Sequence, residues 1–487
     1  MTRSPCIHAK LFATMLASLV AGPAFAGPTL TLSPAVGHPK AGVNVSGTGF
    51  TPDEAIDVYF DTTDTQLVFA DDSGKFSARK LKVPADAVPG AHWISAVGRK
   101  NGDGSQKAFT VRTDWPQFGF DERSKRTNGF ENVLDTHSVR SLDLLWKSWL
   151  GAQTHSSPAV SKGIAYIGAN DGKLHAIVAA TGVEKWTAAT GNQVYSPPTI
   201  SDGVVYVGSL DGKLYAFDAY TGALKWTAPA PGYILCAPTV ANGVVYVGTA
   251  GRTVNAFDAA TGVQLWSQLT GATVFSSPSV VGGTLYVGSD DGKLYAYDAL
   301  TGAPKWNFAT AARVYSSPAV ANGTVYVGSG DGKLYALDTA GNLVWSASIN
   351  QVYASPAIAD NTVYVGAYDG NFRALNATTG AVLWTTPLGG IIPSSAAVAN
   401  GVVYVGSTVG RIYALDAATG AILWSALDGD VAGSSPAVVN GIVYVGSYDG
   451  NLYAYAIDGG SNSVYHHGAT PPSYATLHPD FSLKLAH

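Results

Sequence analysis

The chain runs to 487 residues with a formal net charge of −5, and only 13% of its residues are charged, about half the ~25% of an ordinary soluble domain. A weakly charged, slightly acidic surface has no footprint for a phosphate backbone, which excludes a nucleic-acid partner. The 56 glycines and only two cysteines, Cys6 and Cys236, exclude a disulfide scaffold and point to a turn-rich fold held by packing.

Residues 1–26 place Arg3 and Lys10 ahead of an apolar run from Leu11 to Ala21 and end in Ala24-Phe25-Ala26, a small-residue cleavage site. This is the grammar of a cleavable secretory signal peptide, and it predicts a periplasmic or secreted protein. No Leu-x-x-Cys lipobox follows, and Cys6 lies too early to serve as one. Cleavage would remove two cations, taking the charge from −5 to −7, and would leave Cys236 as the lone thiol. That thiol reads as a small buried residue on an inner strand. No later apolar stretch is long enough to span a bilayer.

Residues 27–112 form a separate module. Thr29-Leu-Thr-Leu, Val43-Asn-Val-Ser-Gly, Ile56-Asp-Val-Tyr-Phe, Thr65 to Ala70, Lys75 to Val83, Ala91 to Val97 and Ala108 to Val111 are separated by Gly, Pro and Asp turns. That spacing of short strands predicts a β-sandwich. Val43 to Pro52, Asp72-Ser-Gly-Lys-Phe and Val83-Pro to Pro89-Gly resemble bacterial Ig-like modules of exported proteins. The resemblance implies a spacer or tether.

After a lead-in over 113–141, the chain repeats itself through 142–458. Tryptophan recurs at Trp146, Trp186, Trp226, Trp266, Trp306, Trp345, Trp384 and Trp424, a period of 40 residues with one-residue slips around Trp345. In the copy Ser276 to Trp306, apolar runs alternate with turns at Gly282-Gly283 and Asp291-Gly292 and with the bend Ala299 to Gly302. Four antiparallel strands per 40-residue copy are a propeller blade, and no 3.6-residue periodicity supports a helical solenoid. Proline recurs at Pro158, Pro198, Pro238, Pro278, Pro318, Pro356 and Pro436, with Ala396 the one substitute. Because proline cannot donate to a ladder, the Ser-Ser-Pro run is read as the innermost strand, its free edge lining a central channel. The last Val443-Tyr-Val-Gly unit has no tryptophan strand after it, and Leu142 to Trp149 is the orphan that completes it. The expected fold is therefore all-β: an eight-bladed ring closed by pairing its two ends, preceded by the sandwich.

The pattern Ala-x-Asp-x-x-Thr-Gly-x-x-x-Trp stands at Ala216 to Trp226, Ala256 to Trp266, Ala296 to Trp306 and Ala414 to Trp424, and is altered at Val178, at Asn376 and in the shortened Ala336 to Trp345. It resembles the tryptophan-docking motif of the quinoprotein-type propellers. Trp115-Pro-Gln-Phe-Gly-Phe-Asp, Arg126-Thr-Asn-Gly and Leu144-Leu-Trp resemble the segment before the first blade of that family. The family includes pyrroloquinoline quinone (PQQ) dehydrogenases and non-enzymatic outer-membrane assembly scaffolds, so the resemblance implies the fold and leaves the function open.

Residues that every copy repeats are structural first. Asp218, Asp258, Asp298, Asp338 and Asp416 each precede a turn that an Asx side chain caps, and Asp171, Asp211, Asp291, Asp331, Asp369 and Asp449 belong to Asp-Gly hairpin turns. Function is sought where copies differ, on the face bearing the D-to-A connections. Their tips carry Gln153, His155, Gln193, Tyr195, Arg313, Tyr315, Gln351, Tyr353 and Asp430. These residues form either a polar ligand site or a water-filled mouth. Ala250-Gly-Arg252 and Val409-Gly-Arg411 put arginines where other copies carry Gly-Lys, as surface charge or as a grip on an acidic ligand. A PQQ enzyme needs a calcium shell, a base and cations, yet these connections hold only Asp428, Asp430, Lys147 and Arg313. Adjacent cysteines and a Cys-x-x-Cys-His haem motif are absent.

The reading is a non-catalytic binding or scaffold protein of the cell envelope, monomeric, with an envelope protein or a polar small molecule or glycan as partner. No catalytic residue, metal ligand or cofactor is assigned. A PQQ-dependent dehydrogenase of alcohols or sugars, with PQQ and calcium, is the alternative. The tail 459–487, with Pro471-Pro472 and His466-His467, is an extended strap or a mobile end.

Overall fold

The computed structural model describes residues 27–427, 429, 433–457 and 459. The expected signal peptide, Asp428, Asp430 and the tail from 460 onward lie outside the described residues. Among the described residues no helix is long and apolar enough to cross a membrane.

The N-terminal module is two facing sheets. Thr29–Ser33, Gly42–Thr48 and Phe76–Lys82 form one, and Val36–Gly37, Gly104–Val111, Gly90–Gly98, Ala55–Phe60 and Thr63–Phe69 form the other, in that order. Alternate residues from both sheets, including Val43, Val45, Ile56, Val58, Ile94 and Phe109, share one core, as period-2 patterning requires. At its edge, buried His92 lies 2.7 Å through Nδ1 from Asp61 Oδ2 and 2.7 Å through Nε2 from the Val88 carbonyl. Burial by itself lowers its pKa, but the Asp61 carboxylate and the Val88 carbonyl outweigh that and raise it above the ordinary value. Both ring nitrogens can donate only in the protonated form. A raised folded-state pKa contributes stability that is complete below the unfolded value of ~6.5 and is lost as pH rises through the folded value. Calorimetry of the full chain is expected to show the module's transition falling over that window, and the fall is expected to vanish in His92→Gln.

The repeats form antiparallel sheets that are copies of one another. In one copy, strand A is Ser279–Val281, B is Thr284–Gly288, C is Lys293–Asp298 and D is Pro304–Ala309, paired in that order. Seven sheets have four strands, and the sheet containing Ala397–Ala399 adds Thr127–Asn128 as a fifth. Strand B is buried on both faces, here along its whole length, because each blade is packed between two neighbours. The A strands touch in cyclic order, and the one at Ala437–Val439 meets the one at Ala159–Ser161. Closure is as expected: Leu142–Trp149 pairs antiparallel with Asn451–Ile457, with Leu142 opposite Ile457 and Trp149 opposite Asn451.

Turn chemistry differs from the expectation in its position. The hairpin with two left-handed residues joins A to B, as at Gly282 and Gly283 (φ 56° and 72°) or Asn322 and Gly323 (49° and 77°). The Asp-Gly turn between B and C is a longer loop over 290–292, closed by the Ser289 N–H on the Lys293 carbonyl at 2.9 Å, and only Gly292 is left-handed. Such three-residue loops end in one left-handed residue. Arg252 occupies that left-handed position itself (φ 64°), so it stands where other copies have glycine, and Thr253 replaces their lysine. The sequence reading of Arg252 as a lysine equivalent is thereby corrected, whereas Arg411 does begin strand C, at Arg411–Asp416.

The docking motif joins neighbouring blades. Trp266 Nε1 donates to the Ala299 carbonyl of the next blade at 3.0 Å, and the Tyr246 hydroxyl donates to the same oxygen at 3.1 Å. The indole lies under Gly302, where a Cβ would sit 2.7 Å from the ring, at a φ of +74°. Hence the Thr-Gly in each motif is read by the tryptophan of the blade before it. Equivalent indole bonds recur from Trp146, Trp226, Trp306, Trp345, Trp384 and Trp424, while Trp186 Nε1 is buried with no hydrogen-bond partner. The turn aspartates behave as caps: Asp298 Oδ1 accepts the N–H groups of Leu300 and Thr301 and the Thr301 hydroxyl. These bonds hold its carboxyl below the usual range.

The inner edges of strand A are not free, which overturns the expected open channel wall. The ladder starts only after each proline, at Ser279 in the copy above, because proline has no N–H to contribute. The lead-in segment then crosses several of the strands in turn. Trp115 exchanges both backbone bonds with Val160, Pro116 accepts from Ile200, Glu122 from Val280, Arg123 from Val320, Lys125 from Ile358 and Arg126 from Val398, all at 2.7–2.9 Å. The Arg126 side chain is buried 1% exposed and donates to the carbonyls of Ala396 at 2.6 Å, Pro436 at 3.0 Å and Phe118. Burial pushes its guanidinium down to about 9; carbonyls and the faces of Phe118 and Trp115 offset the desolvation.

The serines belong to the ring wall. The backbone N–H groups of Ala237, Ser277, Ser317, Ser355, Ser395 and Ser435 donate to Oγ of Ser277, Ser317, Ser355, Ser395, Ser435 and Ser157 at 2.8–3.0 Å. The circle breaks at Pro197 and Ala237, which have no hydroxyl. Cys236 Sγ accepts the Gly248 N–H at 3.2 Å, as Ser276 Oγ accepts that of Gly288, and burial pushes the thiol up to about 12.

Candidate functional site

Strand A runs away from the D-to-A connections, so these and the B-to-C turns share one face while the A-to-B turns lie on the other. Among the described residues, tips are tied to the B-to-C turn of the blade they enter: the N–H groups of Asn170, Leu210, Asp290, Gly330 and Tyr368 donate to the carbonyls of Gln153, Gln193, Thr273, Arg313 and Gln351 at 2.9–3.0 Å. The next residue is buried (Thr154, Val194, Val274, Val314, Val352). By alternation, the one after it is half-buried at the mouth: His155, Tyr195, Phe275, Tyr315 and Tyr353.

These side chains meet in two aromatic arcs. His155 stacks on Tyr195 with ring centroids 4.2 Å apart and touches Tyr448 at 4.4 Å. Tyr233 stacks on Phe275 at 6.4 Å, Phe275 on Tyr315 at 5.3 Å, and Tyr353 stands edge-on to both Tyr315 and Tyr368 at 4.9 and 4.8 Å. Gly433 leaves room for Tyr448, since a Cβ there would lie 2.3 Å from that ring. Gln153, Arg313 and Gln351 are exposed and Gln193 is half-buried above the collar; Asp430 lies outside the described residues. The sequence reading missed Tyr233, Phe275, Tyr368, Tyr448 and Asp290. Phe275 shares the register of Tyr315, and Asp290, Tyr368 and Tyr448 occupy the one B-to-C position that varies freely between copies, which was the available signal.

Charge concentrates at one point of the rim. Arg313 Nη1 donates to the Tyr315 hydroxyl at 3.2 Å. Burial raises the Asp290 carboxyl above its usual range, against the lowering influence of Arg313 and Tyr315, and Asp290 Oδ1 is buried with no hydrogen-bond partner. The Asp-Gly carboxylates are committed elsewhere: Asp291 accepts from Lys293 and Gly271 N–H groups and the Tyr295 hydroxyl, and Asp331 from Lys333, Ala311 and Tyr335.

The match to known proteins follows the same architecture. Residues 129–362 match the family model for the β-propeller of beta-alanine-activating enzyme, and 369–477 match that for outer membrane protein assembly factor BamB. A curated relative, quinohemoprotein alcohol dehydrogenase of Comamonas testosteroni, is 30% identical over 105 residues, 21% of this chain and 15% of that enzyme. The match thus spans less than a sixth of that relative's length. Among solved structures, BamB from Moraxella catarrhalis superposes with a TM-score of 0.58 at 22% identity, covering 65% of this chain and 99% of that one. The Comamonas testosteroni dehydrogenase gives 0.64 at 18%, covering 71% and 80%. The repeats form a β-propeller, and in sequence they are similar to PQQ-like repeats.

The fit of a calcium-bound quinone is tested by the donor set at the mouth. Among the described residues no three His, Cys, Asp or Glu side chains converge as metal ligands, and the rim offers one carboxylate, Asp290, and one cation, Arg313. A calcium ion wants several oxygen ligands including carboxylates. The described residues do not fit that group.

Proposed function

We propose that this is an exported, non-catalytic binding or scaffold protein of the cell envelope, an eight-bladed propeller carried behind an Ig-like module that spaces it from its attachment. Its ligand, a glycan or an extended segment of an envelope protein, sits on the aromatic collar. The collar carries the reading: flat faces stacked around a mouth, with amides and one Asp–Arg–Tyr cluster above them, suit a sugar ring or a peptide plane. The turn carboxylates are occupied by backbone donors, so little remains for acid–base work. The dehydrogenase reading is favoured by the relationship to quinohemoprotein alcohol dehydrogenase.

Two experiments decide between them. Dye-linked oxidation of primary alcohols, polyols and aldoses with PQQ and Ca²⁺ is expected to give no turnover; turnover that disappears in Asp430→Asn would promote the enzyme. Tyrosine fluorescence titrations with a panel of neutral oligosaccharides and of outer-membrane-protein peptides are expected to saturate for one class. Tyr315→Ala should weaken that binding about tenfold, the loss of one stacked aromatic in a contact, at unchanged melting temperature. A flat response to both panels rejects the collar as a binding surface.

A further inference from the structure

On the opposite face, the N-terminal module and the ring enclose a second site. The module is held there by specific contacts with the lead-in: Asn132 Nδ2 donates to the Ala85 and Ala87 carbonyls at 3.2 and 2.9 Å, and the His38 ring packs tilted against Phe130 with centroids 3.8 Å apart, while Asn440 of the ring clamps the backbone of Thr113, where the lead-in begins, at 2.8 and 2.9 Å. Between them lies a cleft of about 720 Å³, within the ~300–1,000 Å³ of small-molecule sites, which favour such module boundaries. It is walled by the lead-in segment, by Lys40 of the module and by the A-to-B turns of three consecutive blades.

Its chemistry is cationic. Lys40, Arg123 and Lys125 line it against two acids, Asp360 and Glu131. Glu131 is spent, because its carboxylate accepts the N–H groups of Val133, Leu134 and Gly441, and burial raises its pKa. Lys40 and Lys125 make no ion pair among the described residues; Arg123 lies 3.9 Å from Glu122, and the Asp121 carboxylate feels the charge of both Lys125 and Arg123. A cleft lined by three cations asks for a ligand with anionic oxygens.

We infer that the cleft binds a phosphate ester of a hydroxylated alcohol, the phosphate held by Arg123, Lys125 and Lys40 and the alcohol filling the rest of the cleft. Lysine ammoniums are point charges that suit a phosphate dianion, and arginine adds two-pronged recognition. The volume leaves room for the alcohol as well as the phosphate. This site is separate from the collar, and its occupancy does not depend on what the collar binds.

Isothermal titration of the full mature chain with glucose 6-phosphate, inorganic phosphate and glucose tests it, with sedimentation on phosphatidylglycerol vesicles to separate a lipid headgroup from a soluble ester. Glucose 6-phosphate is expected to bind saturably and more tightly than inorganic phosphate, with no heat from glucose. Arg123→Gln and Lys125→Gln should each weaken it about tenfold, as for loss of a charge-assisted hydrogen bond, while Arg252→Gln, a cation on the other face, leaves it unchanged. Melting temperatures of the variants control for folding. Binding to the vesicles and not to the soluble ester also supports the chemistry and assigns it to a headgroup. Equal affinity in the Arg123 and Lys125 variants, equal affinity for inorganic phosphate, or no binding to ester and vesicle alike overturns the inference.

Discussion

A chain that begins at Gly151 is expected to aggregate, or to melt far below the parent. The cut removes Leu142–Trp149, the outer strand of the last blade, and leaves the whole length of Asn451–Ile457 as an unpaired edge. An exposed edge of that length templates pairing between copies. Docking fails on both sides of the seam as well: Trp424 loses the Leu142 carbonyl that its Nε1 meets at 2.8 Å, and the Ala179 carbonyl loses Trp146 at 3.0 Å. The same cut removes the lead-in, so a second chain beginning at Leu142 is the control. That chain keeps the closing strand and loses the N-terminal module together with the segment along the inner edges; it should melt between the other two. Thermal unfolding with light scattering reads all three, and equal melting of the Gly151 chain and the parent would refute closure by this strand.

Trp266→Ala is expected to destabilise the ring by about 3–5 kcal/mol, the usual range for truncating a buried tryptophan. The indole is 9% exposed, packs 5.9 Å from Tyr246 and 6.4 Å from Tyr297, and rests under Gly302. Its removal opens a void between two blades that backbone on both sides keeps from collapsing. The hydrogen bond is separable from the packing: Trp266→Phe should lose about 1 kcal/mol more than Trp186→Phe, because Trp186 Nε1 has no partner to lose. Exposed Arg252→Ala should fall within about ±0.5 kcal/mol. Denaturant unfolding measures each; neutrality of Trp266→Ala would break the inter-blade assignment.

Strand number, strand order and ring closure were legible because each rests on short-range chemistry stated repeatedly. Gly-Gly and Asp-Gly turns, Val-Tyr-Val-Gly runs and a tryptophan at a fixed distance after each motif's Thr-Gly mean the same thing wherever they occur, and a 40-residue period multiplies that signal. The unpaired Leu142 to Trp149 announced the closure because a blade lacking its outer strand cannot bury its edge. Local pattern could not reveal the path of 113–134. Its bonds to strand A run through backbone carbonyls, which leave no mark on residue identity, and Arg126 finds its partners 270 and 310 residues away.

The collar was half legible for a related reason. Tyr195, Tyr315 and Tyr353 stand at a repeated register, whereas Tyr368 and Tyr448 come from turns. Whether a turn residue joins the rim depends on the side chain across from it, as Tyr448 depends on the missing Cβ of Gly433. Sequence by itself determined the blades, their order and the seam, since those follow from propensity and periodicity. Only the tertiary structure decided that the inner edges are occupied, that the aromatic residues stack, and that Lys40, Arg123 and Lys125 line one cleft. Those outcomes are distances between residues far apart in the chain, and no local rule contains them.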